Sequence, residues 1–251
     1  MGDLHVTELG DGDPVVLVHG SMGAGRETWS SQLTLADRYR LLIPDRRSYG
    51  DSPRGDGDFE RDADDVAALF DHAHVVGNSY GGVVSLLAAA RRPAAVRSLT
   101  VIEPPALGLV RGGAEVEEFV QRVDDARRQA TDGADYAARF VNAFGFPAPA
   151  EAPEGRALDA ATASWRERPP WEAAIPLDEL AATSFPKLVV RGAWDTAPEE
   201  ARRIGKTSFH SVCDVLVDRL GARSATIAGA AHAAHRGDGF NNTLVEFWDS
   251  V

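Results

Sequence analysis

The sequence predicts an α/β fold with a mostly parallel central sheet and helices on both of its faces. Short β-branched runs alternate with longer, alanine-rich stretches, which is the pattern of strand–helix–strand units. The first clear run, Pro14–Val18, is apolar at nearly every position, as expected for a strand that is buried on both faces. Glycine-containing or charged segments follow several of these runs and mark the carboxyl edge of the sheet.

Further strands are predicted along the chain by the same type of run, at 39–44, 73–76, 99–102, 187–190 and 224–227. Helices are predicted at 62–70, where apolar residues share one face, and at 83–92, where Pro93 ends the pattern. Two more are expected at 211–220 and 240–248. Together these elements form a sheet-and-helix core.

The pattern changes between residues 107 and 182. No strand signal occurs there, and helical patches at 115–129 and 136–144 are separated by links rich in proline, glycine and alanine. We therefore expect a core formed by residues 1–106 and 183–251, with a helical lid inserted at 107–182. An insertion at that point leaves the sheet intact.

Composition and net charge limit the kinds of molecule that we expect this protein to bind. The 251 residues carry a formal charge of −12, which repels phosphate backbones and anionic lipid, so we expect neither nucleic acid nor a membrane as partner. A single cysteine excludes an intrachain disulfide, and no Cys/His spacing suggests a metal site. The first five residues lack the basic and apolar regions of a signal peptide, and no apolar run reaches membrane-spanning length. A cytoplasmic protein with a small-molecule substrate is the expectation; the oligomeric state stays open.

The main chemical signal is the pentapeptide Gly77-Asn78-Ser79-Tyr80-Gly81, a G-x-S-x-G between a predicted strand and a predicted helix. A sharp strand-to-helix turn needs glycines beside the serine, because a Cβ atom there would prevent the strand and helix from closing. The turn raises the serine hydroxyl above the sheet. We therefore predict that Ser79 is a catalytic nucleophile.

A serine hydroxyl needs a base, and the base needs a carboxylate partner that orients the imidazole. His232 follows the last predicted strand, and His235, three residues later, is its rival, interpreted as an exposed loop residue. Asp195 follows the strand at 187–190 and is the preferred acid. Glu103, at the end of the strand at 99–102, is the alternative.

Hydrogen-bond donors must also face the oxyanion that develops during acyl transfer. The loop His19-Gly20-Ser21-Met22-Gly23 follows the first strong strand, where such donors belong. We expect the backbone N–H groups of Ser21 and Tyr80 to form the oxyanion hole. Met22 is an alternative donor or part of the pocket wall.

These segments resemble the α/β-hydrolase superfamily over about two-thirds of the chain. The resemblance rests on HGSMG at 19–23, DRRSYGDS at 45–52, GNSYGG at 77–82, RGAWD at 191–195 and GAAH at 229–232. It implies a triad in the order Ser79, Asp195, His232 and a cofactor-free mechanism in which Ser79 is acylated and water then releases the acid.

The substrate is less well determined, since one triad serves many bond types. A carboxylesterase acting on a small ester is the leading hypothesis; a carbon–carbon bond hydrolase, a lactonase and a thioesterase are alternatives. A small-molecule receptor on the same fold is an alternative of another class. Trp165 and Trp171, in the insertion, are candidate pocket residues.

Overall fold

A computed structural model describes residues 4–55 and 57–251 of the chain. The N-terminal interpretation of the sequence rested partly on residues 1–3, which lie outside the described residues. Among the described helices, none combines the length and the apolar character needed to cross a bilayer.

Seven strands form one sheet in the order β1-β3-β2-β4-β5-β6-β7. Only β1 is antiparallel to its neighbour. The strands are β1 Val6–Leu9, β2 Asp13–Val18, β3 Tyr39–Pro44, β4 Ala73–Asn78, β5 Val96–Ile102, β6 Lys187–Gly192 and β7 Arg223–Ile227. The predicted mostly parallel sheet is confirmed. The sequence pattern missed β1 because this short edge strand is only half-buried and has no continuous apolar run.

In the described part of the chain, ten α-helices surround the sheet or follow β5. They are α1 Gly25–Thr28, α2 Phe59–Ala67, α3 Tyr80–Arg91, α4 Ala114–Gln129, α5 Gly133–Ala143, α6 Gly155–Arg166, α7 Leu177–Ala181, α8 Glu199–Ala201, α9 Thr207–Leu220 and α10 Phe240–Trp248. A π-helical turn, Arg202–Lys206, joins α8 to α9.

Both faces of the sheet are covered by apolar layers. Along β2, Val16 and Val18 point into the layer that contains α2, α3 and α9, whereas Val15 and Leu17 point into the layer that contains α10. Successive side chains of a strand face opposite sides, so a strand buried on both faces is apolar throughout. This explains the continuous apolar run on which the sequence prediction was based.

The segment between β5 and β6 is helical, and none of its residues, all of which the structure describes, joins the sheet. Helices α4, α5 and α6 pack side by side, while α7 packs against α9 and α3 of the core. Within this group, α4 also contacts α9 of the core and the π-helical turn before it. We refer to α4, α5 and α6 as the cap.

Candidate active site

Ser79 lies at a strained turn between β4 and α3. Its backbone has φ 53° and ψ −123°, a conformation that costs free energy for a residue with a Cβ atom. Its N–H donates to the carbonyl of Ile102 at 2.8 Å. A Cβ on Gly77 would lie 2.3 Å from the Gly81 carbonyl oxygen, and one on Gly81 would lie 2.3 Å from that of Val18. The turn therefore requires both glycines.

His232 faces the serine from the loop that follows β7. Its Nε2 lies 2.9 Å from Ser79 Oγ, within hydrogen-bond distance. The Phe209 ring packs against the imidazole with a centroid separation of 4.1 Å. The base is thus held both by a hydrogen bond and by an aromatic contact from α9.

Glu103, directly after β5, binds the other side of the imidazole. Its Oε2 lies 2.9 Å from His232 Nδ1, and its side chain is fully buried. The second oxygen, Oε1, accepts hydrogen bonds from Gly192 N–H at 2.9 Å and from Trp194 Nε1–H at 2.8 Å. Three donor contacts from fixed groups offset the cost of burying a carboxylate. Ser79, His232 and Glu103 therefore form one hydrogen-bonded series.

The choice of Asp195 as the acid is contradicted by this geometry. Asp195 is exposed, and its Oδ1 accepts a hydrogen bond from the neighbouring Thr196 N–H at 3.1 Å. The preceding residue, Trp194, has φ 58° and places its indole in the core, on Glu103. In this loop the side chain that faces inward is therefore that of Trp194, and the Asp195 carboxylate faces solvent. Both carboxylates follow strands at the same edge, and sequence position alone did not show which one is buried.

His235 is a second correction, because it was expected to be an exposed loop residue. It is buried, and its ring packs against Trp29 at a centroid separation of 5.2 Å. Burial disfavours the charged imidazole and lowers the pKa of His235 to about 3. Among the described residues, neither of its ring nitrogens has a well-formed hydrogen bond. It is not part of the Ser79 series.

The predicted oxyanion-hole residues adjoin Ser79. A Cβ on Gly20 would lie 2.9 Å from Ser79 Cβ, so the loop containing Ser21 runs directly beside the nucleophile. Tyr80 is the first residue of α3, where backbone N–H groups have no partner within the helix. Within the described part of the chain, no acceptor is bonded to the backbone N–H of Ser21 or of Tyr80. Both groups are therefore free to face a substrate oxygen.

Two cavities adjoin Ser79. The inner one, of about 30 Å³, lies under the cap and is bordered by Ser21, Ser79, Tyr80, Arg127, Tyr136, Glu167, Trp171 and several phenylalanines. The outer one, of about 420 Å³, is more open and is bordered by Ser21, Met22, Ser79, Phe140, Phe146, His232 and His235, among others. A further cleft of about 550 Å³ opens elsewhere on the cap, between α4, α5 and Glu200, and does not include Ser79.

The two tryptophans of the insertion differ in position. Trp171 borders the inner cavity. Trp165 borders neither cavity; its indole N–H donates to the Arg127 carbonyl at 2.9 Å, and its ring stacks on Tyr136. Trp165 therefore contacts residues of the pocket wall from behind. Met22 borders the outer cavity with φ 69°.

A buried charged cluster next to the site was missed by sequence analysis. The fully buried Arg46 donates to Asp62 at 2.7 Å and to Glu167, from the segment after α6, at 2.6 Å. The second Glu167 oxygen accepts from Ser21 Oγ at 2.6 Å. Burial raises the pKa of Asp62 to about 6, although Arg46 opposes this shift. The cluster connects the cap to the loop that carries Ser21, and no motif in the sequence marks Glu167.

One group with metal-ligating side chains, His5, Asp45 and Asp51, occurs within the described residues. Asp45 accepts hydrogen bonds from Gly25 N–H at 2.8 Å and from Asp51 N–H at 3.1 Å, and Asp51 also pairs with Arg156. His5 and Asp51 are exposed. These contacts explain the group as a brace between loops.

Comparison with known proteins identifies the family. The model of the alpha/beta hydrolase family matches residues 15–241. The chain belongs to that family. Within the chain, Ser79, His232 and Glu103 form a partly buried hydrogen-bonded series at the carboxyl edge of the sheet.

The relatives are similar over part of their length. The chain is 36% identical over 122 residues to the dihydrolipoyllysine-residue acetyltransferase component of the acetoin cleaving system of Pseudomonas putida, covering 45% of this chain and 33% of that protein. It is 34% identical over 107 residues to 2-hydroxymuconate semialdehyde hydrolase of Pseudomonas sp. strain CF600, covering 38% of each. The chain thus matches less than half the length of either relative.

Among solved structures, a thermophilic esterase from Thermogutta terrifontis superimposes with a TM-score of 0.70 at 22% identity. The superposition covers 98% of this chain and 93% of that one. At this level of identity the likeness shows the fold alone.

Proposed function

We propose that this chain is a cofactor-free serine esterase that acts on a small carboxylic ester through an acyl-enzyme on Ser79. The observation that carries the proposal is the unbroken series of 2.9 Å contacts from Ser79 Oγ through His232 to Glu103. A binding protein has no need of an activated nucleophile, so this series favours an enzyme over a receptor.

The acylation step follows from the positions of these groups. His232 Nε2 removes the Ser79 proton while Oγ attacks the ester carbonyl carbon, and Glu103 stabilises the imidazolium that forms. The N–H groups of Ser21 and Tyr80 are the proposed donors to the carbonyl oxygen as it becomes negative. His232 then gives the proton to the leaving alkoxide, which departs as an alcohol.

Deacylation uses the same groups, but water is now the nucleophile and Ser79 Oγ is the leaving group. His232 removes a proton from a water molecule, and the resulting hydroxide attacks the acyl carbon. The bond to Ser79 Oγ breaks, and the proton held by His232 returns to that oxygen. The acid is released and the enzyme is restored without any cofactor.

The cavities support a small acyl group and a larger alcohol. Ser79 lies between an inner space of about 30 Å³ and an outer space of about 420 Å³. A single water needs about 10–15 Å³ of such space, so only a short acyl chain fits the inner cavity without movement of the cap. We propose that the insertion, and α4 to α6 in particular, acts as a lid that sets this size limit.

A carbon–carbon bond hydrolase is the second candidate. It is favoured by the similarity to 2-hydroxymuconate semialdehyde hydrolase, which extends over 107 residues. The two candidates differ in the bond that is broken, and a panel of small esters and 1,3-diketones of equal length separates them.

The proposal is tested with a fluorophosphonate probe and with Ser79→Ala. The probe should modify Ser79 in the folded protein, and the variant should lose labelling together with a factor of about 10⁴ or more in kcat. Mass mapping of the adduct identifies the modified residue. Labelling at another residue, or esterase activity that survives in Ser79→Ala, would overturn the assignment.

A further inference from the structure

Three hydrogen-bond donors around the inner cavity have no partner. They are the Tyr80 hydroxyl, the Tyr136 hydroxyl and Arg127 Nε, each buried and each without a hydrogen bond to any described residue. All three residues border the inner cavity beside Ser79. Buried donors are normally paired, and several unpaired ones at one cavity indicate an absent acceptor.

The charge of Arg127 is also unbalanced. Its Nη1 donates to the backbone carbonyls of Trp165 at 2.7 Å and of Glu167 at 2.5 Å. None of the described ion pairs includes Arg127, although Asp124 and Glu167 lie nearby. Arg46, on the other side of the cavity wall, is paired with both Asp62 and Glu167. A guanidinium bonded to carbonyls alone retains its capacity to bind an anion.

The acceptors at this cavity are already in use. Glu167 is the one carboxylate among the described residues that border it, and its two oxygens accept from Arg46 and from Ser21. Ser164 lies close to the Tyr136 hydroxyl, but no hydrogen bond of acceptable geometry joins them. The residues that border the cavity therefore carry three unpaired donors and one positive charge, and no carboxylate oxygen without a partner among the described residues.

We propose that the inner cavity binds an acyl group whose far end is a carboxylate, held by Arg127, Tyr80 and Tyr136. This inference rests on the proposed function, because it takes the inner cavity as the acyl side of Ser79. A carboxylate accepts up to four hydrogen bonds and balances the positive charge of Arg127. The small volume restricts the chain, so the substrate is a monoester of a short dicarboxylic acid.

The test compares three ethyl esters whose acyl chains have five atoms along the chain, one carboxylate oxygen included: ethyl hydrogen succinate, ethyl 4-oxopentanoate and ethyl pentanoate. They end in a carboxylate, a ketone and a methyl group. Acid release is measured at constant pH for turnover, and binding to Ser79→Ala is measured by calorimetry. We expect the succinate ester to exceed the pentanoate by at least about 10-fold in both readouts, the effect of a hydrogen bond to a charged group, with the ketone between them.

Substitutions then test whether Tyr136, Tyr80 and Arg127 cause the preference for the succinate ester. Tyr136→Phe and Tyr80→Phe should each lower the ratio of succinate to pentanoate by about 10-fold, and Arg127→Met by more, because it removes the charge. Neither Tyr→Phe change should lower the melting temperature, since each removes a hydroxyl that has no partner among the described residues. Tyr39→Phe is the matched control: Tyr39 packs against Trp248, borders neither Ser79 cavity and should leave the ratio unchanged.

The results separate this inference from the proposed function. Equal turnover and equal binding of the three esters, or a ratio unaffected by Tyr136→Phe and Tyr80→Phe, would refute the carboxylate subsite while leaving the esterase proposal intact. Tight succinate binding without hydrolysis of any ester would instead support the subsite and overturn the esterase proposal. A fall in melting temperature with an unchanged ratio would assign the tyrosines a structural role only.

Discussion

Glu103→Gln is the substitution that tests the acid most directly. In the structure Oε1 of Glu103 faces two donors, Gly192 N–H and Trp194 Nε1–H, while Oε2 faces His232. A glutamine at this position keeps its carbonyl oxygen on the two donors and turns its NH₂ group toward His232. Since NH₂ only donates, His232 Nδ1 must become the acceptor and Nε2 must carry the proton. The imidazole is then unable to accept the proton of Ser79.

The loss of kcat that we expect for Glu103→Gln has two sources. A carboxylate about 4 Å from an imidazolium contributes about 4 kcal/mol at an effective dielectric constant of about 20, which corresponds to about 10³ in rate. The unfavourable tautomer adds to this loss, and amide substitution of the acid in other serine triads costs about 10⁴. We therefore expect kcat to fall by between about 10³ and 10⁴.

The assay is steady-state hydrolysis of a small ester, with Asp195→Asn as the matched control. Asp195 is exposed, and among the described residues its carboxylate accepts a hydrogen bond only from the adjacent Thr196 N–H, so its variant should stay within about 3-fold of the parent, in line with the small effect of surface substitutions. Circular dichroism and thermal melting check that both variants are folded. A folded Glu103→Gln protein with near-parental kcat, or an Asp195→Asn protein that loses 100-fold or more, would refute the assignment of the acid.

Three further predictions concern the histidines and tryptophans near Ser79. His232→Ala should be nearly inactive in ester hydrolysis, whereas His235→Ala should retain most of its kcat; the reverse order would show that the base is misassigned. The pKa of His235 is lowered to about 3, so the unfolded chain is protonated first and the stability that this histidine contributes above pH 6.5 is lost as the pH falls toward 3. Between pH 7 and 5 this amounts to about 2 kcal/mol, and His235→Phe should remove that part of the acid sensitivity in urea unfolding; an unchanged pH dependence would contradict it. Trp171→Ala should change the preference among acyl chain lengths by about 1–3 kcal/mol, more than Trp165→Ala, because only Trp171 borders the inner cavity; identical chain-length profiles would count against the lid proposal.

Periodicity and local motifs were sufficient to predict strands β2 to β7 and the nucleophile turn, but not the edge strand β1. The buried run at β2 and the run that leads into Ser79 each fix a strand locally, because burial on both faces demands apolar side chains at successive positions. The glycines beside Ser79 are likewise a local requirement, set by approaches of 2.3 Å. The order of strand, turn and helix is therefore determined by residues that are adjacent in sequence.

The partner of His232 was decided by tertiary structure. Asp195 and Glu103 both follow a strand at the same edge, and they are equivalent in sequence pattern. Only the folded chain shows that Trp194 turns inward at φ 58°, binds Glu103 and leaves Asp195 in solvent. The identity of the acid depends on which side chain is buried beside an imidazole 129 positions away in sequence, and no local pattern encodes that distance.

The same reason applies to the polar wall of the inner cavity. Tyr80 comes from the nucleophile turn, whereas Arg127 and Tyr136 come from two helices of the cap, and the three residues border one cavity only in the folded chain. The sequence determines which residues have donors, since side-chain chemistry is local. The three-dimensional fold determines which of those donors lack acceptors, because hydrogen-bond satisfaction is a property of contacts between distant segments.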